Sequence, residues 1–172
     1  MNDTLTTSAA PAGAAKKAVN YLPAAYHTVT PYLIIEGAAK AIDFYKSVFG
    51  ASELMRMPGP EGKIMHAEIR IGNSPVMMSD GTPAMEFRSP SALGGSSVGL
   101  LVYVEDVDAC VARAVAAGAK VIKPAQDQFY GDRSGTIVDP FGHLWTVSTH
   151  IEDVSPEEMQ RRLANMKCSE QG

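Results

Sequence analysis

This 172-residue sequence predicts an α+β fold of two tandem βαβββ modules. Three observations carry that expectation. The first is a closing hairpin between Phe129 and Thr149. There β-favouring Gly135 to Val138 runs into Asp139-Pro140-Phe141-Gly142 and leaves through Leu144 to Val147. Pro140 pre-sets a turn φ, and Gly142 accepts a positive one without steric cost. The second is a helix signature. Ala38, Ala41, Ile42, Tyr45 and Phe49 recur at helical spacing, and Gly50 stands where a left-handed C-terminal cap belongs. The third is a repeat, since Gly50-Ala51 recurs as Gly118-Ala119 at a shift of 68.

In chain order, residues 1–20 are small and polar, without apolar periodicity, and read as a flexible leader. The first module, 21–80, opens with alternation from Thr28 to Ile35, a strand that Gly37 ends. After the helix, Glu53 to Met57 reads as a short strand and 58–62 as a Pro/Gly loop. Lys63 to Ile71, Gly72-Asn73 and Ser74 to Ser79 read as a hairpin. Residues 81–97 have linker composition. The second module, 98–152, repeats the pattern: the shift of 68 lays Ile35 on Tyr103, the first helix on Asp106 to Ala117, and Val76–Ser79 on Leu144–Val147. Ser155-Pro156-Glu157-Glu158 is a capping box, so a polar helix to about Met166 is expected in the tail, 153–172.

Composition narrows the function. A chain of this length buries about 70% of its unfolded surface and needs no disulfide. Its two cysteines, Cys110 and Cys168, suit a reducing cytoplasm, with the first in the core and the second on the tail. A net charge of -4 argues against nucleic acid as a partner. No apolar run approaches the roughly 20 residues of a membrane span, and no secretory signal is evident. A cytoplasmic protein is expected.

The motif DPFGH, followed by Leu144 and Trp145 and preceded by FYGDRSG, resembles the closing hairpin of the vicinal oxygen chelate superfamily in its PhnB-like branch. HTVTPYLII, AIDFYKSVFGA, HAEIRIGNS and LLVYVEDVDA resemble the same branch in order, so the likeness covers roughly residues 21 to 160. It implies the glyoxalase/bleomycin resistance/dioxygenase fold, in which curved mixed sheets surround a cleft. It also implies a homodimer, as do sheet edges that a partner can cover. It does not imply one reaction, because the superfamily hosts lyases, dioxygenases, epoxide-opening transferases and drug-binding proteins.

In metal-dependent members, one His or Glu comes from the first strand and one from the last strand of each module. Carried over by residue, those places fall at Thr30, near Met78, at Val98 or Gly99, and at Thr146. None ligates as His or Glu would, so no metal cofactor is expected. The alternative is one divalent ion on a relocated site using His66 and Glu68.

Strand parity selects the remaining candidates. Met65, Ala67, Ile69 and Ile71 form an apolar face for the helix, while Ile64, His66, Glu68 and Arg70 face the cleft. Together His66 and Glu68 can pass a proton near neutrality, if the apolar cleft raises the carboxyl pKa and the neighbouring carboxylate raises that of the imidazole. The competing reading is a structural pair, with Arg70 neutralising Glu68. Thr30, Tyr32, Thr136 and Thr146 are expected to orient a ligand, with Met78 and other methionines as adaptable wall. Tyr130 and Arg133, in the loop feeding the last hairpin, are further ligand candidates. Arg133 offers a planar fork to a carboxylate or phosphate, although Asp132 and Arg133 equally suit a loop tie. Trp145 reads as core, His143 as part of the turn, and His27 and His150 as strand-end residues. No nucleotide loop or nucleophile motif is present.

These features point to a small organic molecule bound between the modules without the inherited metal. Two alternatives stand beside it: a metal-dependent lyase or dioxygenase with relocated ligands, and a metal-free isomerase or lyase using His66 and Glu68. Whether there is turnover is left open.

Overall fold

The computed structural model describes residues 19–82 and 86–169, so most of the expected leader lies outside the described residues. The first module comprises β1 (Tyr32–Ile35), α1 (Ala38–Phe49), β2 (Ser52–Pro58), β3 (Ile64–Ile71) and β4 (Ser74–Asp80). A short helix, α2 (Pro90–Leu93), lies in the connection. The second module follows as β5 (Gly99–Tyr103), α3 (Val107–Ala116), β6 (Lys120–Asp127), β7 (Asp132–Val138) and β8 (Leu144–His150), and α4 (Pro156–Ser169) completes the chain. Each module is one four-stranded mixed sheet, ordered β1-β4-β3-β2 and β5-β8-β7-β6. In each sheet the first and last strands run parallel and the other neighbours antiparallel.

Local chemistry sets the element ends. Asp80 receives Gly37 N–H at 2.7 Å and Ala38 N–H at 3.1 Å, which satisfies donors that the start of α1 leaves free. Its other oxygen accepts Ile64 N–H at 2.7 Å and so ties β4 to the start of β3. Gly50 ends α1 at φ 66°, donating its N–H to Tyr45 O. From Ser89 to Gly94 the linker is more ordered than its composition suggests, because Ser89 caps Ala92 N–H and Pro90 occupies the first helical position. The strand expected from Thr28 begins only at Tyr32. Pro31 has no N–H to give a ladder, and the Thr30 hydroxyl turns back to His27 O at 3.1 Å.

The two modules share one core. Helices α1 and α3 touch, and Cys110 Sγ donates to Val48 O at 3.6 Å across them. Phe49 and Tyr45 of α1 pack on Trp145 of the second sheet, with ring centroids 4.8 and 5.4 Å away. Asp139 is buried beneath them. It accepts the Tyr45 hydroxyl at 2.7 Å, the Trp145 indole N–H at 3.0 Å, and the backbone N–H groups of Phe141 and His143, each at 2.9 Å. Burial, reinforced by the Asp139 charge, pushes the Tyr45 phenol well above its ordinary pKa, so it stays a donor.

The internal repeat is real but not uniform. Ile69 lies opposite Glu53 as Ile137 lies opposite Val121, a shift of 68 on both strands. Tyr32 lies opposite Met77, however, as Leu101 lies opposite Thr146, a shift of 69. For the last strands, the extra residue is in the closing turn. Two residues, Gly72 and Asn73, separate the paired Ile71 and Ser74, whereas three, Pro140 to Gly142, separate Asp139 from His143, whose carbonyl accepts its N–H. A one-residue slip exchanges the two faces of a strand. It therefore corrects the predicted face of one site residue, Met78, as described below.

Candidate functional site

Each sheet turns one face to the shared core and leaves the other partly open, with Ile34, Ser79 and Pro75 of the first and Asp132, Ser134 and Ser148 of the second still buried. On the first sheet, register places Tyr32, Met77, Glu68 and Met55 in one row across the open face, with Ile34, Ser79, His66 and Met57 in the next. Tyr32, Met55 and Met57 are 40 to 47% exposed, so this wall is accessible. Met78, expected here, pairs with Ala67 on the opposite face and is fully buried in the core, so Met77 takes its place. Met65 departs from expectation too, being exposed at the end of β3 rather than under the helix.

His66 and Glu68 lie at the centre of a continuous hydrogen-bonded chain. His66 Nε2 is 3.0 Å from Glu68 Oε1, and His66 Nδ1 is 3.1 Å from the Tyr32 hydroxyl. Tyr26, in the segment before β1, donates its hydroxyl to Glu68 Oε2 at 2.6 Å. The Tyr26 hydrogen bond, and then that of His66, hold the Glu68 carboxyl below its ordinary pKa. This corrects the expectation of a raised value. Glu68 is a carboxylate at neutral pH and so has the form of a base. Tyr26 had no signal in the sequence, because its segment carries no strand or helix period.

The open face of the second sheet holds Thr136 opposite Thr146, as expected, both half-buried. Beside them is a cluster that the sequence reading missed. Buried Asp132 accepts the Tyr103 hydroxyl at 2.9 Å and the Ser148 hydroxyl at 3.0 Å, and lies 2.8 Å from His150 Nδ1. His150 Nε2 is 3.0 Å from Asp153. Burial pushes the Asp132 carboxyl up, but the hydrogen bonds from His150, Tyr103 and Ser148 outweigh it and leave the pKa lowered. Hydrogen bonds to Asp132 and then Asp153 raise that of His150. A raised histidine stabilises most below its unfolded pKa, about 6.5, and a lowered aspartate above its own, about 3.9. The pair is therefore expected to contribute most between those values, losing it as pH rises through the His150 pKa or falls through that of Asp132. Urea midpoints of the wild type and His150→Gln should converge as pH rises from 5 to 9. A constant gap would sink the assignment.

Arg133 does not reach an open face. It turns towards α3, giving two hydrogen bonds to Asp108 at 2.7 and 2.9 Å and one to Asp127 at 2.8 Å. These carboxylates raise its pKa further and occupy its fork, so it ties the loop. Tyr130 sits in the turn before β7, edge-on to Phe129 at 5.3 Å. Thr30 lies in the loop before β1.

The expected cleft between modules takes a different form here. Two grooves follow the β1 and β5 seam, of about 500 and 380 Å³. Tyr32 lines the first, but neither is lined by His66, Glu68, Thr136 or Thr146. The two polar clusters belong to separate open faces. Among the described residues, no three His, Cys, Asp or Glu side chains gather as a metal site, and no helix is long and apolar enough to cross a membrane.

The model of the Glyoxalase/Bleomycin resistance protein/Dioxygenase superfamily matches residues 26–147, which span both modules. The chain belongs to this superfamily. It is similar to a Mycobacterium tuberculosis (strain H37Rv) protein, at 42% identity over 151 residues, covering 86% of each chain. Among solved structures it resembles TioX from Micromonospora sp. ML1, at 29% identity and TM-score 0.56, covering 75% of this chain and all of that one. A PhnB protein from Bacillus cereus, described as a putative 3-demethylubiquinone-9 3-methyltransferase, has TM-score 0.58. That match covers 72% of this chain and 99% of the other, and at 21% identity it is a likeness of fold. With the register known, the superfamily's four ligand places fall at Thr30, Met77, Gly99 and Thr146. Two hydroxyls, a thioether and a glycine do not fit a site built from imidazoles and carboxylates.

Proposed function

We propose that the protein binds a small organic molecule on the open face of the first sheet, without the divalent ion of its metal-dependent relatives. The observation that carries this reading is the Tyr26–Glu68–His66–Tyr32 chain, set among Met55, Met57 and Met77. Thioethers give an adaptable, polarisable wall, and the polar chain fixes orientation. The absence of suitable donors at all four inherited places supports the metal-free part.

The same chain favours a second reading, a metal-free isomerase or lyase. Glu68 has the protonation state of a base, His66 is within proton-transfer distance, and two phenols complete the relay. A metal-dependent enzyme would need a third ligand for His66 and Glu68. We place the protein in the cytoplasm and expect a homodimer, supported by the exposed Leu101, Tyr103, Met55 and Met57 on the open faces. Sedimentation at micromolar concentration tests the dimer.

Elemental analysis of untagged protein, with thermal melts in zinc, nickel, manganese and iron, tests the metal-free reading. The expected result is no stoichiometric metal and no shift. A ligand at a hundred times its Kd would add about 2.7 kcal/mol, so a real site would be visible. Once a ligand is found, His66→Ala should weaken binding about tenfold or more if the chain orients it. Loss of turnover with binding kept would select the isomerase reading instead.

A further inference from the structure

We propose that Arg70 anchors the anionic end of the ligand, which makes the ligand class a small organic acid, carboxylate or phosphonate, with a proton donor several ångströms from its acid group. The inference rests on the ligand site proposed above and adds to it the charge and spacing of what binds there. Three arginines are half-buried: Arg70, Arg133 and Arg162. Arg133 is held by Asp108 and Asp127, and Arg162 by Glu152 and Glu158. Arg70 has no hydrogen-bond or ion-pair partner among the described residues, and Glu68, two residues away on its face, is turned to Tyr26 and His66 instead. A half-withdrawn guanidinium with its planar fork unused suits a bidentate oxyanion.

Position gives the rest. Arg70 lies between Ser52 and Pro75 in the next row beyond Glu68 on the same open face. Alternate residues of a strand stand roughly 6.6 Å apart. A ligand lying along β3 with its acid group on Arg70 thus presents a group about that far away to Glu68 and His66. The Glu68 carboxylate repels an anion, so the ligand must offer it a hydroxyl, an N–H or an acidic C–H. The apolar body between the two ends lies over Met55 and Met77, which flank Glu68 on the adjacent strands.

The test is titration of the 15N-labelled full chain with the 4-hydroxy derivatives of phenylphosphonate, phenylacetate and neutral phenylacetamide, whose phenol is the donor that Glu68 requires, read from the amide signals of β3 and its neighbours. Both anions, or one of them, should perturb Glu68 to Gly72 and bind about tenfold or more tighter than the amide, the worth of a charge-assisted hydrogen bond. The preferred anion names the acid group. Arg70→Met should bring the anions down to the level of the neutral probe, and Arg70→Lys should restore part of the difference, with urea midpoints unchanged. If all three probes bind this face equally and Arg70→Met alters none of them, the site survives and the anchor is overturned. If no probe perturbs the face, both fall.

Discussion

Asp139→Ala is expected to destabilise the protein by about 3–5 kcal/mol, among the largest costs of any single side chain here. The carboxylate satisfies four donors, and two of them, the Tyr45 hydroxyl and the Trp145 indole N–H, belong to the packing between α1 and the second sheet. Its removal strands buried donors, each worth about 1–3 kcal/mol when left unmade, with partial relaxation keeping the total below their sum. For a chain of this size the melting temperature should fall by roughly 10 °C or more. Tyr45→Phe, which removes one donor and keeps the ring, should cost only about 1 kcal/mol. Urea unfolding of both variants checks the ranking. An Asp139→Ala protein within 1 kcal/mol of wild type would show that Asp139 does not pin the modules together.

Gly131→Ala should cost about 2–4 kcal/mol. Gly131 has φ 99°, outside the range comfortable for a side chain, and an added Cβ would collide with the Glu152 carbonyl and press on Val154. The close approach has a purpose: Gly131 O accepts the N–H groups of Ile151 and Glu152 at 2.9 and 3.0 Å, bringing the end of β8 beside the start of β7. Asp132 and His150 occupy those same ends, so the variant should also lose the pH dependence attributed to their pair. Denaturation at pH 5 and pH 9 measures both effects, and a fully stable alanine variant would contradict the geometry.

The fold was legible because its signals are local. Gly50 and Gly118, the two amphipathic helices and the DPFGH turn each specify an element within a few residues, and their order specifies the modules. The face a side chain takes was legible where parity alone decides, as for His66, Glu68, Tyr32 and Thr146. It failed where register depends on turn length. The third residue in the second turn moved β8 by one relative to β4, and Met78 was assigned the face that belongs to Met77. It failed again where a partner is distant in sequence. Tyr26 meets Glu68 from 42 residues away, and His150 meets Asp132 from 18, contacts that no periodicity encodes. Arg133 shows the same limit, since the pairing that occupies it comes from α3.

The two helices pack into one common core, while the residues proposed to meet a ligand stand on sheet faces turned away from it. Folding and recognition therefore draw on different side chains. Tyr32, Met55, Met57 and Leu101 can be exchanged during divergence at little thermodynamic risk, whereas Ile35, Ile69, Tyr45 and Val147 cannot. A scaffold partitioned in this way lets descendants acquire new ligands by drift on the exposed faces, each intermediate remaining folded while its specificity changes.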